Sequence, residues 1–291
     1  MVFVSHVILS SSEGKLPHRP IITLTTDFGT NDHFVGAVKG VILDIAPEAA
    51  IVDISHAVEA FDVLDGAITI SEAYSYFPTG TVHMIVVDPG VGTTRRPIIA
   101  SSDGYHFVAP DNGVLSMVYA REQRIHVRHV TSEHYFRQPV SSTFHGRDVF
   151  APVAAYLAKF VDSHEFGDEI EDYVKFAAPR PKPIAENRMR AVVLKVDRFG
   201  NLITNITPED IPALFTDQPG KFKLIVGSKE ITTIHKAYAE GAPGEVFGIL
   251  GSMGYLEIVA NRAAAAQLTG AAKGSEVSIL LGDAAAAGKG A

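Results

Sequence analysis

Residues 85–96 read IVVDPGVGTTRR, and the fold turns on how this stretch is taken. With Met84 ahead of it, Ile85-Val86-Val87 completes a continuous run of four apolar residues that ends abruptly at Asp88-Pro89-Gly90. A run of this length bounded by turn residues predicts a strand covered on both faces, as in a parallel sheet. Pro89 and Gly92 then impose an irregular loop, and loops leaving the ends of buried parallel strands are where open α/β sheets hold ligands. Asp88 is thereby fixed at a strand end, with Arg95 and Arg96 returning one short loop later. An ion pair bracing a turn would account for this much alone.

The same rhythm extends to either side. Ile21–Thr25 and Ile51–Ile54 read as strands, Phe34–Leu43 as a helix that Asn31 or Asp32 would cap, and Phe61–Tyr76 as a helix stopped by Pro78-Thr79-Gly80. Ile98–Ser101 and His106–Ala109 form an expected hairpin around Asp103-Gly104. A helix over Val114–Ala120, a strand over Val127–Val130 and a helix over Val149–Phe160, with Pro152 in its first turn, complete the pattern. Strands alternating with helices predict an α/β N-terminal domain with a mostly parallel sheet over residues 21–176. Residues 1–20 read as an extension and 177–188, with Pro179, Pro181 and Pro183, as a linker. The short β runs of residues 189–282 predict an all-β barrel domain, and 283–291 a flexible Ala/Gly tail.

Composition narrows the function. The chain has 291 residues, 46% hydrophobic and 20% charged, with a formal net charge of −8. An acidic chain without clustered positive charge argues against a nucleic-acid partner. The absence of cysteine removes thiolate chemistry and Cys-ligated zinc. No apolar run reaches the ~20 residues of a membrane helix, and residues 1–10 lack the basic start and small-residue cleavage site of a secretory leader. A cytoplasmic protein without a membrane partner is the expectation.

No P-loop or dinucleotide-binding glycine fingerprint is present, and Asp27-Phe28-Gly29 and His145-Gly146-Arg147-Asp148 stand in the reverse of the order a kinase requires. The twelve histidines are scattered, so a metal site built on Asp53 with His56, or His126 with His129, ranks below a metal-free site. What remains is a set of carboxylates at strand ends, Asp27, Asp88, Asp111 and Asp197, which with His145 suggest a polar pocket. A carboxylate is also an acceptor suited to a ribose diol. In Val196–Ile206, Phe199 offers a flat face for a base and Asn201 both a donor and an acceptor for its edge. A plain β-turn with Phe199 in the core is the competing reading. Gly251–Tyr255, followed by Asn261-Arg262, is a further polar stretch where glycine permits close approach of backbone to ligand.

TTDFG (25–29), DPGVGTTRR (88–96), FVAPDNG (107–113), FHGRD (144–148), VDRFGNLITNI (196–206) and GSMGYLEI (251–258), in this order, resemble the S-adenosyl-L-methionine (SAM) hydroxide adenosyltransferases, or SAM hydrolases, relatives of the fluorinases and chlorinases. The resemblance implies an N-terminal α/β domain joined to a C-terminal β-barrel, and a homotrimer with each active site between the N-domain of one subunit and the C-domain of the next. It implies water attack on SAM, giving adenosine and L-methionine without a cofactor, with Asp88, Arg95 and His145 as the catalytic set. Asp27 and Phe61 would face the ribose, and Phe199, Asn201 and Asn261 the adenine. Asp32, Asp197 and Ser252 would face the methionine end, and Phe144 and Tyr255 complete the expected substrate contacts. The fluorinases carry tyrosine at the position of Asp88 and serine at that of Gly146, which favours water over halide here. A halide-dependent SAM cleaver and a non-catalytic SAM or adenosine sensor are the alternatives, separated from the hydrolase by whether halogenated nucleoside appears and whether turnover occurs at all.

Overall fold

The computed structural model describes residues 19–217 and 219–282; the expected extension up to residue 18 and the tail 283–291 lie outside them. The chain divides between Lys175 and Phe176 into two compact units. Unit 1 carries six strands: β1 (Ile21–Thr26), β2 (Ala50–Ser55), β3 (Val82–Val86), β4 (Pro97–Ser102), β5 (His106–Pro110) and β6 (Ile125–His129). They lie in the order β2-β1-β3-β5-β4-β6. The ladders β1–β2, β1–β3 and β3–β5 are parallel, whereas β4 runs antiparallel to both β5 and β6. The sheet is therefore mixed. The Asp103-Gly104 turn makes the β4–β5 hairpin, and that hairpin reverses the direction of β4.

Helices cover both faces. α1 (Phe34–Ile45) packs Val38 and Ile42 on one side, and α2 (Val63–Ala73) buries Ile70 on the other, where α3 (Ser116–Arg121) adds Val118. α4 (Ala151–Ala158) lies on the α1 side. Strands β1 and β3 are buried along almost their whole length, which is why neither shows the apolar–polar alternation of a half-covered strand. Since α1 leads to β2 on one flank of β1 while α2 leads to β3 on the other, the winding reverses between β1 and β3. Their carboxyl ends flank the crevice where open α/β sheets bind ligands.

Three local expectations are corrected. Neither Asn31 nor Asp32 caps α1: His33 is the N-cap, without a side-chain bond. Phe61 lies outside α2, at φ 66°, and Asp62 caps that helix by accepting from Asp65 N. The helix expected from Val149 opens instead as a π-turn over Gly146–Phe150 before α4. Pro152 has no N–H for the Asp148 carbonyl, which accepts from Arg137 N at 2.8 Å instead, so the turn widens.

Unit 2 is a curled, mostly antiparallel sheet: β7 (Lys182–Ala185), β8 (Arg188–Val196), β9 (Leu202–Thr204), β10 (Phe222–Val226), β11 (Lys229–Ile231), β12 (Ile234–His235), β13 (Val246–Leu250), β14 (Leu256–Ala260) and β15 (Glu276–Leu281), with α5 (Ala265–Thr269). β8 serves both halves, pairing β15 through its first residues and β9 through its last, with a register shift between Val193 and Lys195. Among the described residues the path runs open from β11 to β12, so the expected barrel is a half-barrel wrapped around one core to which Leu224, Ile231, Leu256 and Ile279 contribute. The proline run is not wholly a linker, because β7 forms within it. Pro183, the one of its three prolines that lies on β7, is tolerated because among the described residues that strand pairs with β8 alone.

His83 sits inside β3, fully buried, with Nδ1 2.7 Å from Thr23 Oγ1 and the Phe107 ring stacked on it at 5.2 Å. Burial pushes its pKa down to about 3. The unfolded chain takes up this proton near the ordinary histidine value of about 6.5, so stability falls as pH drops from there towards 3, by up to about 1.4 kcal/mol per pH unit. Urea denaturation at stepped pH should show this slope in the wild type and a shallower one in His83→Leu.

Candidate active site

At the end of β3 the chain turns through Asp88-Pro89-Gly90 and comes back to β4. Gly92 takes φ 77° against the Ser142 carbonyl, 2.3 Å from where a Cβ would stand, so this loop closes only with glycine there. The closure brings Arg95 onto Asp88: Nε lies 3.0 and 2.9 Å from the two carboxylate oxygens and Nη2 lies 2.5 Å from Oδ2. Both side chains are more than nine-tenths buried. The same Nη2 lies 2.7 Å from His145 Nδ1, and the Phe150 ring sits 5.2 Å from the guanidinium carbon. The π-turn presents His145 from one end and Phe150 from the other.

The protonation of His145 follows from its partner. A guanidinium only donates, so Nδ1 accepts and the ring proton sits on Nε2. Burial first, then the positive charge of Arg95, hold the His145 pKa below its ordinary value. The ring is thus a neutral donor through Nε2.

Across the crevice, Asp27 follows β1. Its Oδ2 accepts from Phe61 N at 2.9 Å, and Phe61 stands 74% exposed. Burial raises the Asp27 pKa, and the Asp88 charge adds to the rise. Asp32 is exposed ahead of α1. Phe144 is buried in an aromatic cluster with Phe28 and Phe34, at 6.0 and 5.2 Å. Asp111 is occupied elsewhere: Arg96 holds it at 2.6 Å and Val174 N donates to it at 2.7 Å, an anchor for the end of unit 1. Asn112, which the sequence reading passed over, donates to the Val87 carbonyl at 2.8 Å and so ties the loop after β5 to the root of Asp88.

Unit 2 gathers its own group. Asp197 accepts from Phe199 N, Asn201 N and Asn201 Nδ2, each at 2.8 Å, which locks the turn between β8 and β9. Phe199 is pushed outward, 77% exposed, rather than into the core, while Asn201 is buried. Both line a cavity of about 580 Å³ together with Tyr238, Asn261 and Arg262. Asn261 Nδ2 donates to the Gly241 carbonyl at 2.7 Å. Ser252 is exposed and Tyr255 half-buried in the β13–β14 turn. Tyr238 and Arg262 carry no motif of their own; the pairing of Asn261 with Arg262 was the available signal for the second.

Models of the SAM hydroxide adenosyltransferase N-terminal and C-terminal domains match residues 22–167 and 191–278. The chain belongs to the SAM hydroxide adenosyltransferase family. It is 40% identical over 202 residues to an (R)-S-adenosyl-L-methionine hydrolase of Methanocaldococcus jannaschii, covering 68% of this chain and 71% of that protein. To the protein of the same name from Salinispora tropica it is 35% identical, covering 90% and 98%. A fluorinase of Actinoplanes is 28% identical over 84% of this chain and 92% of its own length. The crystal structure of an uncharacterized conserved protein from Thermotoga maritima superposes with a TM-score of 0.81 at 36% identity, covering 89% of this chain and 99% of that one. Among the described residues no group of three or more His, Cys, Asp or Glu side chains is arranged to hold a metal ion, and no helix is long and apolar enough to cross a membrane.

Gly92→Ala tests how tightly the loop sets the site. A methyl group there meets the Ser142 carbonyl in a backbone conformation L-residues rarely adopt, so a loss of about 1–3 kcal/mol is expected in urea denaturation, together with lower turnover.

Proposed function

We propose that the chain hydrolyses SAM to adenosine and L-methionine by attack of water at the ribose C5′. The observation that carries this reading is the Arg95 fork, which holds the Asp88 carboxylate on one side and His145 Nδ1 on the other at the end of β3. The new bond joins water oxygen to C5′; the C5′–S bond breaks, and its electron pair returns the sulfonium to the neutral thioether of methionine. A neutral leaving group needs no general acid. The difficulty lies in the nucleophile, since bulk water has a pKa of about 15.7. Arg95 supplies fixed positive charge for the developing hydroxide, and His145 Nε2–H is a donor to its oxygen. His145 Nδ1 spends its one lone pair on Arg95, whereas the Asp88 carboxylate, with about four acceptor sites, keeps room beyond the contacts from Arg95, so Asp88 is the member of the set that can accept the water proton. Asp88 also orients the water, and in-line placement supplies much of the remaining rate.

In this reading Asp27 accepts from the ribose hydroxyls beside Phe61, while the Phe199, Asn201 and Asn261 cavity takes the adenine. Asp32, Asp197 and Ser252 face the charged amino-acid end, and Phe144 and Tyr255 back the two halves. We assign no step to a cofactor or metal. The enzyme is read as cytoplasmic, where its substrate is made, and as a homotrimer in which the N-terminal unit of one subunit works with the C-terminal unit of the next. The trimer reading rests on the family resemblance; light scattering tests it, with a mass three times the 31.2 kDa of the chain expected.

Purified, EDTA-treated protein incubated with SAM should release adenosine and methionine in equal amounts, followed by chromatography. Binding of SAM without release would establish a sensor instead, and halogenated nucleoside in the presence of chloride would establish a halide user. Asp88→Ala, Arg95→Ala and His145→Ala should each lower kcat by roughly 10²-fold or more.

The pH profile carries a further expectation. Protonating His145 would set two donors, Nδ1–H and the Arg95 guanidinium, against each other. Because its pKa is held below the ordinary value, kcat should stay level as pH falls through 6.5 and decline only at lower pH. A decline centred above 6.5 would contradict the neutral tautomer.

A further inference from the structure

Asp53 and His56, a pair the sequence ranks low as metal ligands, stand beside the segment that carries Asp27. β1 and β2 pair in register from Ile21 with Ala50 to Leu24 with Asp53, but Thr25 pairs with Ser55. Ile54 is thus an extra residue in β2, and a bulge of this kind re-aims the side chains beyond it. In unbroken register Thr26 would meet Ser55; the bulge brings His56 up to it instead. His56 Nδ1 lies 2.8 Å from Thr26 Oγ1, and both residues are buried. On the far side of the ring Nε2 lies 3.0 Å from Asp53 Oδ1, while Lys39 of α1 donates to Asp53 Oδ2 at 2.7 Å. The carboxylate favours a ring proton on Nε2, so Nδ1 accepts from the Thr26 hydroxyl. That hydroxyl oxygen in turn accepts from Phe28 N at 3.3 Å. Asp53, His56 and Thr26 have the parts of a hydrolytic triad. Thr26, however, is 1% exposed and its oxygen is spent on the ring and on Phe28 N, so no substrate reaches it.

We propose that His56 is a positioning residue for substrate binding: braced by Asp53, it fixes Thr26 and so the orientation in which Asp27 meets a ribose. The proposal rests on the reading of Asp27 as the acceptor of the ribose hydroxyls. Two backbone bonds tie the same segments together, Gly29 N donating to the His56 carbonyl at 2.8 Å and Val58 N to that of Thr26 at 3.4 Å. Further along the loop after β2, Phe61 N donates to Asp27 Oδ2 at 2.9 Å. The loops after β1 and β2 are thus stitched together at Thr26, Asp27 and Gly29. A carboxylate turned in advance towards its ligand spares the ligand the cost of ordering it. His56 does this through Thr26, without reaching the ligand.

The test uses the full chain and compares the binding of adenosine with that of 2′,3′-dideoxyadenosine by calorimetric titration. The wild type and Thr26→Ser, which keeps the hydroxyl, should bind adenosine the more tightly. Thr26→Val and His56→Ala should each weaken adenosine binding by about 3- to 10-fold and leave the dideoxy ligand unchanged. With SAM, the same two variants should raise KM by a similar factor while kcat holds. Asp27→Ala should close the gap between the two ligands, and Thr26→Val added to it should change nothing more, because Thr26 acts only through Asp27. Thr26→Val keeps the shape of the buried side chain and reports even where His56→Ala does not fold. Equal weakening of both ligands, a further loss in the Asp27→Ala background, a fall in kcat alone, or a loss in Thr26→Ser would overturn the proposal. A wild type that binds both ligands alike, or whose preference survives Asp27→Ala, would overturn the ribose reading of Asp27 and this proposal with it. A preference that Asp27→Ala abolishes and Thr26→Val leaves intact would overturn the role of His56 alone.

Discussion

The buried pair of Asp88 and Arg95 governs what the rest of unit 1 can be. Taking a carboxylate and a guanidinium out of water costs several kcal/mol per ion, and their attraction offsets this only with good geometry and additional hydrogen bonds. Here the fork binds both carboxylate oxygens, Nη2 also reaches His145 Nδ1, and Phe150 lies against the guanidinium. Each requirement is met by a different element: the fully buried end of β3 fixes Asp88, the return into β4 fixes Arg95, and the π-turn before α4 fixes His145 and Phe150. The pair therefore does more than stabilise a loop. Loss of any one element would leave a buried charge incompletely satisfied, so the charges enforce the mutual placement of strand, hairpin and helix. The protonation of the histidine follows from the same constraint.

Arg96, the next residue, shows why a sequence cannot say which carboxylate belongs to which arginine. On an extended chain consecutive side chains point to opposite sides. Arg95 turns to Asp88, and Arg96 turns to Asp111 and Asp172 and anchors the last segment of unit 1. In sequence the two are interchangeable, and Asp111 carries the same strand-end signature as Asp88. Only the fold separates a carboxylate that faces the crevice from one that is consumed by structure.

Much of the architecture was legible because burial leaves a pattern. β3 is covered on both faces and ends in the apolar run Met84–Val87; Asp103-Gly104 marked the hairpin, and the glycine-rich turns of unit 2 marked short strands. What was missed leaves no local pattern. The π-turn at Gly146–Phe150 arises from a carbonyl that Pro152 cannot satisfy and that Arg137 reaches from elsewhere. β7 hides among prolines because its partner lies on one side only. The closure of the second sheet is a matter of how far it curls, and the open path from β11 to β12 could not be told from a barrel by strand count. Of the site, the motif-bearing residues were legible, and whether Phe199 faced the core or solvent was settled only by the three bonds to Asp197. Asn112 acts through its bond to the Val87 carbonyl, far back in the chain, which no spacing encodes.

The choice of nucleophile follows from donors and acceptors. Water both donates and accepts; a halide ion only accepts. In the proposed reading, a site whose centre joins a carboxylate to a guanidinium and a histidine offers water both an acceptor and donors, and the carboxylate can also take up the proton water must lose, which a halide does not require. Asp88 thus suits the site to water in a way that tyrosine, the residue of the fluorinases at this position, does not. Gly146 acts in the same direction through packing. A Cβ there would lie 3.0 Å from the Phe28 ring and 3.4 Å from that of Phe144. A serine hydroxyl of the kind the fluorinases carry would thus require the aromatic cluster beside Asp27 to shift. In the proposed reading the preference for water is held in two places at once, by the acceptor at Asp88 and by the missing side chain at Gly146, so replacing either residue alone would leave the other working against halide.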